Sequence, residues 1–190
     1  MSGTDFNALP RDLPVPKDDG AADHLPGRAL PALALRATTG GAIDLAAVAA
    51  EAGTLVLYVY PRTGIPGEPA PDGWDAIPGA RGCTPQSCAF RDHQAELRAL
   101  GAETIGLSAQ PAAEQAEFAA REHIPFPLLS DPHLELAAAL GLPTFTAAGM
   151  TLYKRITLIV RDGSIAHVFY PVFPPDRNAV DVLAWLRERR

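Results

Sequence analysis

Residues 54 to 60 read Thr-Leu-Val-Leu-Tyr-Val-Tyr, and Pro61 ends the run. An unbroken apolar stretch of this length, rich in β-branched and aromatic side chains and closed by a proline, predicts a strand buried on both faces. A strand covered on both sides needs helices above and below it, so this run is the expected centre of a layered α/β domain.

The segments on either side support that architecture. Upstream, from Leu30, Pro-Ala-Leu-Ala-Leu-Arg-Ala-Thr-Thr-Gly-Gly-Ala-Ile-Asp-Leu-Ala-Ala-Val predicts a short strand, a turn at Thr-Thr-Gly-Gly, and a second short strand or helical turn, together an edge hairpin. Downstream, residues 85 to 100 place Ala89, Phe90, Leu97 and Leu100 near one face of a helix, with Pro85 acceptable in its first turn. Residues 104 to 109 predict a strand, 111 to 123 a helix, 126 to 130 a strand, and 132 to 141 a helix with Asp131 at its start. Residues 154 to 160 and 164 to 170 flank the turn Arg-Asp-Gly as a hairpin, and Asp176 is the expected cap of a closing amphipathic helix. Alternating strands and helices followed by a hairpin predict a central mixed sheet flanked by helices.

Residues 1 to 28, rich in Pro, Asp and Gly, show no helical or strand period and are expected to form a loosely attached, flexible arm, leaving residues 29 to 190 as the domain. The amino terminus lacks a basic start followed by an apolar core, which favours the cytoplasm, and no apolar run is long enough for a membrane span. A formal charge of −6, with Lys and Arg scattered except for the terminal Arg-Glu-Arg-Arg, gives no electrostatic footprint for nucleic acid. No glycine-rich phosphate loop implies a nucleotide cofactor.

The chain has only two cysteines, Cys83 and Cys88, too few for a disulfide framework. Cys83 follows Gly82 at the expected start of a helix, where unpaired N–H groups and the helix dipole favour a thiolate, the nucleophilic form. If both cysteines were helical, their Cα atoms would lie roughly 8 to 9 Å apart, and a disulfide tolerates less than ~7 Å. The pair is therefore either reduced and helical, or oxidised with the first turns unwound. Two small hydrophobes packed near one another remain an alternative. Zinc would need further ligands, and neither a second Cys pair nor a close His pair is present. The histidines at 93, 123, 133 and 167 are isolated and are assigned no chemistry.

The segment Gly-Cys-Thr-Pro-Gln-Ser-Cys-Ala-Phe-Arg-Asp, residues 82 to 92, closely resembles the active-site helix of peroxiredoxins of the bacterioferritin-comigratory or Q type. Tyr60-Pro61, the run from Ser130 to Leu142, and Lys154-Arg155-Ile156-Thr157-Leu158 resemble further parts of that family in order, so the likeness spans most of residues 29 to 190. The resemblance implies a thioredoxin-like fold and a thiol peroxidase without cofactor or metal. Cys83 would be peroxidatic, Cys88 resolving, and Arg155 and Pro61 would be members of the site. The implied partners are hydrogen peroxide or organic hydroperoxides and a thioredoxin-like reductant, with the protein as monomer or homodimer. A redox sensor of the same fold with little turnover is the alternative, and a partner-binding module a third.

The family pattern Pro-x-x-x-Thr-x-x-Cys is interrupted here. Ala80 stands three residues before Cys83, and about fifteen extra residues separate Pro61 from Cys83, forming an insert at about 64 to 81. Thr63 is the expected stand-in for the missing threonine, with Thr84 as a fallback. Trp74 and Ile77 lie amid turn residues in the insert, which is expected to form a lid or a contact surface.

Overall fold

The computed structural model describes residues 5 to 189. A seven-stranded sheet runs through the molecule in the order β2-β1-β5-β4-β3-β8-β9. Its strands are β1 (Ala34–Ala37), β2 (Ala42–Asp44), β3 (Thr54–Val59), β4 (Ala102–Ser108), β5 (Leu128–Ser130), β8 (Ile156–Arg161) and β9 (Ser164–Phe169). The expected central strand is β3, paired in parallel with β4 and antiparallel with β8 over its whole length. β4 and β5 are also parallel, whereas β1 lies antiparallel to β5, so the sheet is mixed. The chain has the expected thioredoxin-like layering.

Strand alternation divides the core into two layers. Leu55, Leu57 and Val59 of β3 face a cluster with Leu45 and Ala49 of α1 (Leu45–Ala52) and Leu136 and Leu140 of α5 (Glu135–Leu140). Val56, Tyr58 and Tyr60 face the opposite cluster with Phe90, Leu97, Phe118, Val182 and Leu183. These come from α2 (Cys83–Asp92), α3 (Gln94–Ala99), α4 (Ala112–Arg121) and α6 (Asn178–Glu188). Gly106 in β4 makes room for Tyr58, because a Cβ there would lie 2.7 Å from the Tyr58 hydroxyl and 2.6 Å from Leu128.

Several expectations are corrected. The helix expected over 85 to 100 is two helices, broken at His93 (φ −100, ψ 8). Asp131 does not sit at the first residue of α5, yet its carboxylate accepts the N–H groups of Glu135 and Leu136 and so caps the helix from a distance. Asp176 caps nothing; it lies in a 3₁₀ turn, Pro175–Arg177, that runs directly into α6. A second hairpin, β6 (Thr144–Ala147) with β7 (Met150–Tyr153), was not expected. Its turn is Ala148-Gly149, both at positive φ, where Asn-Gly would have been the readable signal.

The expected loose arm is packed down. Leu25 is fully buried and Ala22 nearly so, in the cluster under α1 and α5. His24 Nε2 lies 2.8 Å from the Leu140 carbonyl, and Arg28 donates to the carbonyls of Ala139 and Leu140 at the end of α5. Asp19 accepts from Lys154 and Tyr170, both at 2.7 Å, and these bonds hold its carboxyl down to about 2. The absence of periodicity reported irregular backbone, not absence of packing.

Candidate functional site

Gly82, in the left-handed region at φ 103, turns the chain into α2, and Cys83 is the first residue of that helix. No side chain could replace the hydrogen at Gly82. Its Cβ would lie 2.3 Å from Pro175 and 2.8 Å from Leu9. The thiol is only 3 % exposed. Its sulfur lies 3.7 Å from the Ala80 carbonyl and 3.3 Å from Arg155 Nη2, which donates to it. Arg155 precedes β8 and is itself buried.

The same Nη2 is shared by the carbonyls of Gly79, Ala80 and Arg81, at 3.1 to 3.2 Å. Nη1 donates to Gln86 Oε1 of α2 at 2.5 Å. Gln86 in turn donates to Asn178 Oδ1 at the start of α6, which also accepts from the Thr157 hydroxyl of β8 at 2.7 Å. No carboxylate among the described residues pairs with this guanidinium. Carbonyl dipoles solvate it while leaving its charge uncancelled, which is the environment that favours an anionic sulfur or a developing oxyanion. Arg155 Nε is buried with no partner among the described residues. A cavity of about 340 Å³ has Arg155 in its wall, with Ile77, Gly79, Phe145, Lys154 and Val172.

The expected stand-in threonine is engaged by a glutamine. The Thr63 hydroxyl donates to Gln110 Oε1 at 3.1 Å, and the Thr63 backbone N–H donates to the same oxygen at 2.7 Å. Gln110 is fixed by Glu114, and Pro61 is tied to the same loop through its carbonyl, which accepts from Ser108 Oγ at 2.9 Å. Neither Pro61 nor Thr63 has a hydrogen bond to Cys83. At the position where the family carries threonine, Ala80 turns its methyl into a cluster with Trp74 and Leu152 and its carbonyl toward Cys83 and Arg155. Thr84 lies in the first turn of α2 and is buried; the cap position belongs to Gly82.

Trp74 of the insert is buried in a 3₁₀ turn (Trp74–Ala76), its ring 6.1 Å from that of Phe145 on β6. Arg81 holds the insert to the arm: its guanidinium lies over the Phe6 ring at 5.0 Å, donates to the Asp5 carbonyl and meets Asp75 at 3.3 Å.

Cys88 lies on the same helix, half-buried, and both cysteines are free. Cys88 faces away from the Arg155 network, its sulfur 3.7 Å from Glu122 Oε2. Burial pushes its thiol up; Arg91 opposes that, and the charge of Glu122 and its acceptance of the S–H add to it. Gln86, Asn178, Glu122 and the carbonyls of residues 79 to 81 were not foreseen. Backbone acceptors leave no mark in a sequence, and Gln86 alone, within Cys-Thr-Pro-Gln-Ser-Cys, was in view.

The model of the redoxin family matches residues 25 to 183. Peroxiredoxin Q, chloroplastic, of Oryza sativa subsp. japonica is 31 % identical over 162 residues, 85 % of this chain and 66 % of the rice protein. Peroxiredoxin bcp1 of Schizosaccharomyces pombe is 32 % identical over 136 residues, 70 % of this chain and 62 % of that protein. The chain thus spans just under two thirds of the length of these curated relatives. Among solved structures, the peroxidoxin BcpB of Mycobacterium tuberculosis superimposes with a TM-score of 0.71 at 30 % identity, covering 87 % of this chain and 98 % of that one. No helix among the described residues is long and apolar enough to cross a membrane, and no group of three or more His, Cys, Asp or Glu could hold a metal.

Proposed function

Because the chain belongs to the redoxin family, among the peroxiredoxins of the bacterioferritin-comigratory or Q type, we propose that it is a thiol-dependent peroxidase with Cys83 as its nucleophile. The observation that carries this reading is the sulfur of Cys83 at the first position of α2, 3.3 Å from a buried guanidinium that no carboxylate neutralises. The Cys83 thiolate attacks one oxygen of a hydroperoxide. The O–O bond breaks, the sulfur is oxidised to sulfenic acid, and the alkoxide or hydroxide leaves with a proton as alcohol or water. Arg155 stabilises both the thiolate and the oxygen that gains charge, and the carbonyl of Ala80 helps hold Arg155 beside the sulfur.

Cys88 then displaces the hydroxyl from the sulfenic sulfur: an S–S bond forms, the S–O bond breaks, and the proton of Cys88 leaves with the hydroxyl as water. With both cysteines inside α2, this step requires the first turns of the helix to unwind. A thioredoxin-like dithiol returns the disulfide to two thiols. Substrate reaches Arg155 from the cavity bounded by Ile77, Phe145 and Val172.

Stopped-flow oxidation of the reduced protein, followed by recycling with thioredoxin and its reductase, tests the assignment. Rapid oxidation with sustained turnover is expected, and Cys83→Ser should abolish peroxide consumption. Rapid oxidation without recycling would make the protein a redox sensor instead, and oxidation no faster than that of a free thiol would remove both readings.

A further inference from the structure

The Phe-Arg-Asp triplet after Cys88 takes no part in the chemistry so far described, yet it brings two charged side chains to the only other cysteine. Phe90 is core, stacked on Tyr58 with ring centroids 4.5 Å apart. Arg91 crosses to the end of α4: its Nη1 donates to the Glu122 carbonyl at 2.6 Å and lies 4.0 Å from the Glu122 carboxylate, while its Nε pairs with Asp92 at 2.8 Å. The Glu122 carboxylate is largely enclosed, with 13 % of its side chain exposed. Arg121 pairs with its Oε1, and its Oε2 accepts the Cys88 S–H. Arg121 in turn donates to the carbonyl of Gly64, at the root of the insert.

We infer that Glu122 is a positioning residue for the resolving half of the cycle, keeping Cys88 protonated and bound to the end of α4 until Cys83 has reacted. The inference rests on Cys88 being the resolving thiol. A thiol attacks a sulfenic acid as thiolate, and a carboxylate held against it disfavours that form. The contact also ties α2 to α4, so the turns that must unwind are pinned at Cys88 as well as at Phe90. Arg91 and Asp92 on α2, Arg121 and Glu122 at the end of α4, and Tyr58 on β3 are the charged or titratable groups around this thiol. Burial keeps Tyr58 a neutral phenol, so among them Glu122 supplies the negative charge in direct contact with the sulfur. A peroxidatic cysteine waiting for a delayed partner stays longer as sulfenic acid, open to a second peroxide. Glu122 therefore sets the balance between disulfide formation and over-oxidation.

The experiment has two readouts. In the reduced Cys83→Ser background, the rate of alkylation of Cys88 by iodoacetamide is followed against pH for the parent, Glu122→Gln and Glu122→Ala. The inference expects both changes to move the profile to lower pH and raise the rate near pH 7 by about three- to tenfold, with alanine, which keeps no acceptor, the larger. An unchanged or oppositely shifted profile in the folded variants, checked by far-UV circular dichroism, overturns it. In the chain with both cysteines, disulfide formation after one equivalent of peroxide should quicken, and the peroxide concentration that over-oxidises half of Cys83 should rise. If the parent forms no intramolecular disulfide, the resolving role of Cys88 fails while the alkylation profile still decides the control by Glu122. If the disulfide forms at the same rate in all three chains, the positioning role fails and the resolving role stands.

Discussion

At the scale of single residues, the site is organised around one guanidinium. Arg155 reaches Cys83, three successive carbonyls and Gln86 with two terminal nitrogens, an arrangement that requires a planar fork of donors. Lysine offers a point charge and cannot span the same acceptors. Arg155→Lys should therefore slow oxidation of Cys83 by about a hundredfold, in line with the loss of one preorganised donor to a developing anion. Stopped-flow tryptophan fluorescence reads this directly, and a rate within a few-fold of the parent would show that charge alone suffices. Cys83 stood out in the sequence through its place at a helix start, whereas Arg155 was reached only through the resemblance of residues 154 to 158 to the family's strand. The partner of Thr63 was not legible, for a physical reason. Its hydroxyl is consumed by Gln110, 47 residues away, and only the fold brings that partner in.

At the scale of elements, patterning was readable where one face is buried and unreadable where backbone does the work. The β3 run declared its depth because every alternate residue feeds one of two cores. The Ala-Gly turn between β6 and β7 declared little, because Gly149 suits positive φ but Ala148, which shares it, is not a residue that favours it. The junction of β9 and α6 carries a pH dependence of its own. Trp185 stacks on His167 at 5.1 Å and lies under the guanidinium groups of Arg161 and Arg189, 5.0 and 4.8 Å from its ring. Burial, and secondarily Arg189, holds the His167 imidazole below its ordinary range. In the unfolded chain this histidine titrates near ~6.5, so below that pH the unfolded state binds the additional proton and stability falls. No loss is expected above pH 7, and the loss levels off once pH passes below the depressed folded value. In His167→Phe the difference in urea midpoint between pH 7.5 and pH 5.5 should shrink; an unaltered difference would place the acid sensitivity elsewhere.

At the scale of the whole molecule, the amino-terminal segment belongs to the domain. It passes under α5 through Leu25, His24 and Arg28, meets the sheet edge through Asp19, and touches the turn before α2 through Leu9. Its proline-rich composition hid this, since extended chain lacking a repeat period packs through isolated side chains. Leu25→Ala, a truncation at a fully buried site, should lower stability by about 2 to 5 kcal/mol in denaturant unfolding. A change below about 0.5 kcal/mol, typical of surface positions, would show that the segment detaches before the domain unfolds.

The insert, finally, is no removable cassette. Its last three carbonyls, from Gly79 to Arg81, are ligands of Arg155, the one side chain among the described residues that bonds the Cys83 sulfur, and Trp74 is seated against β6 and β7. A loop transplanted from a relative with the shorter Pro-x-x-x-Thr-x-x-Cys spacing would bring a hydroxyl, but it would also have to fill the hollow left by an indole and rebuild a collar of oxygen atoms around Arg155. Exchange between the two loop lengths is thus a concerted replacement of indole, collar and hydroxyl together.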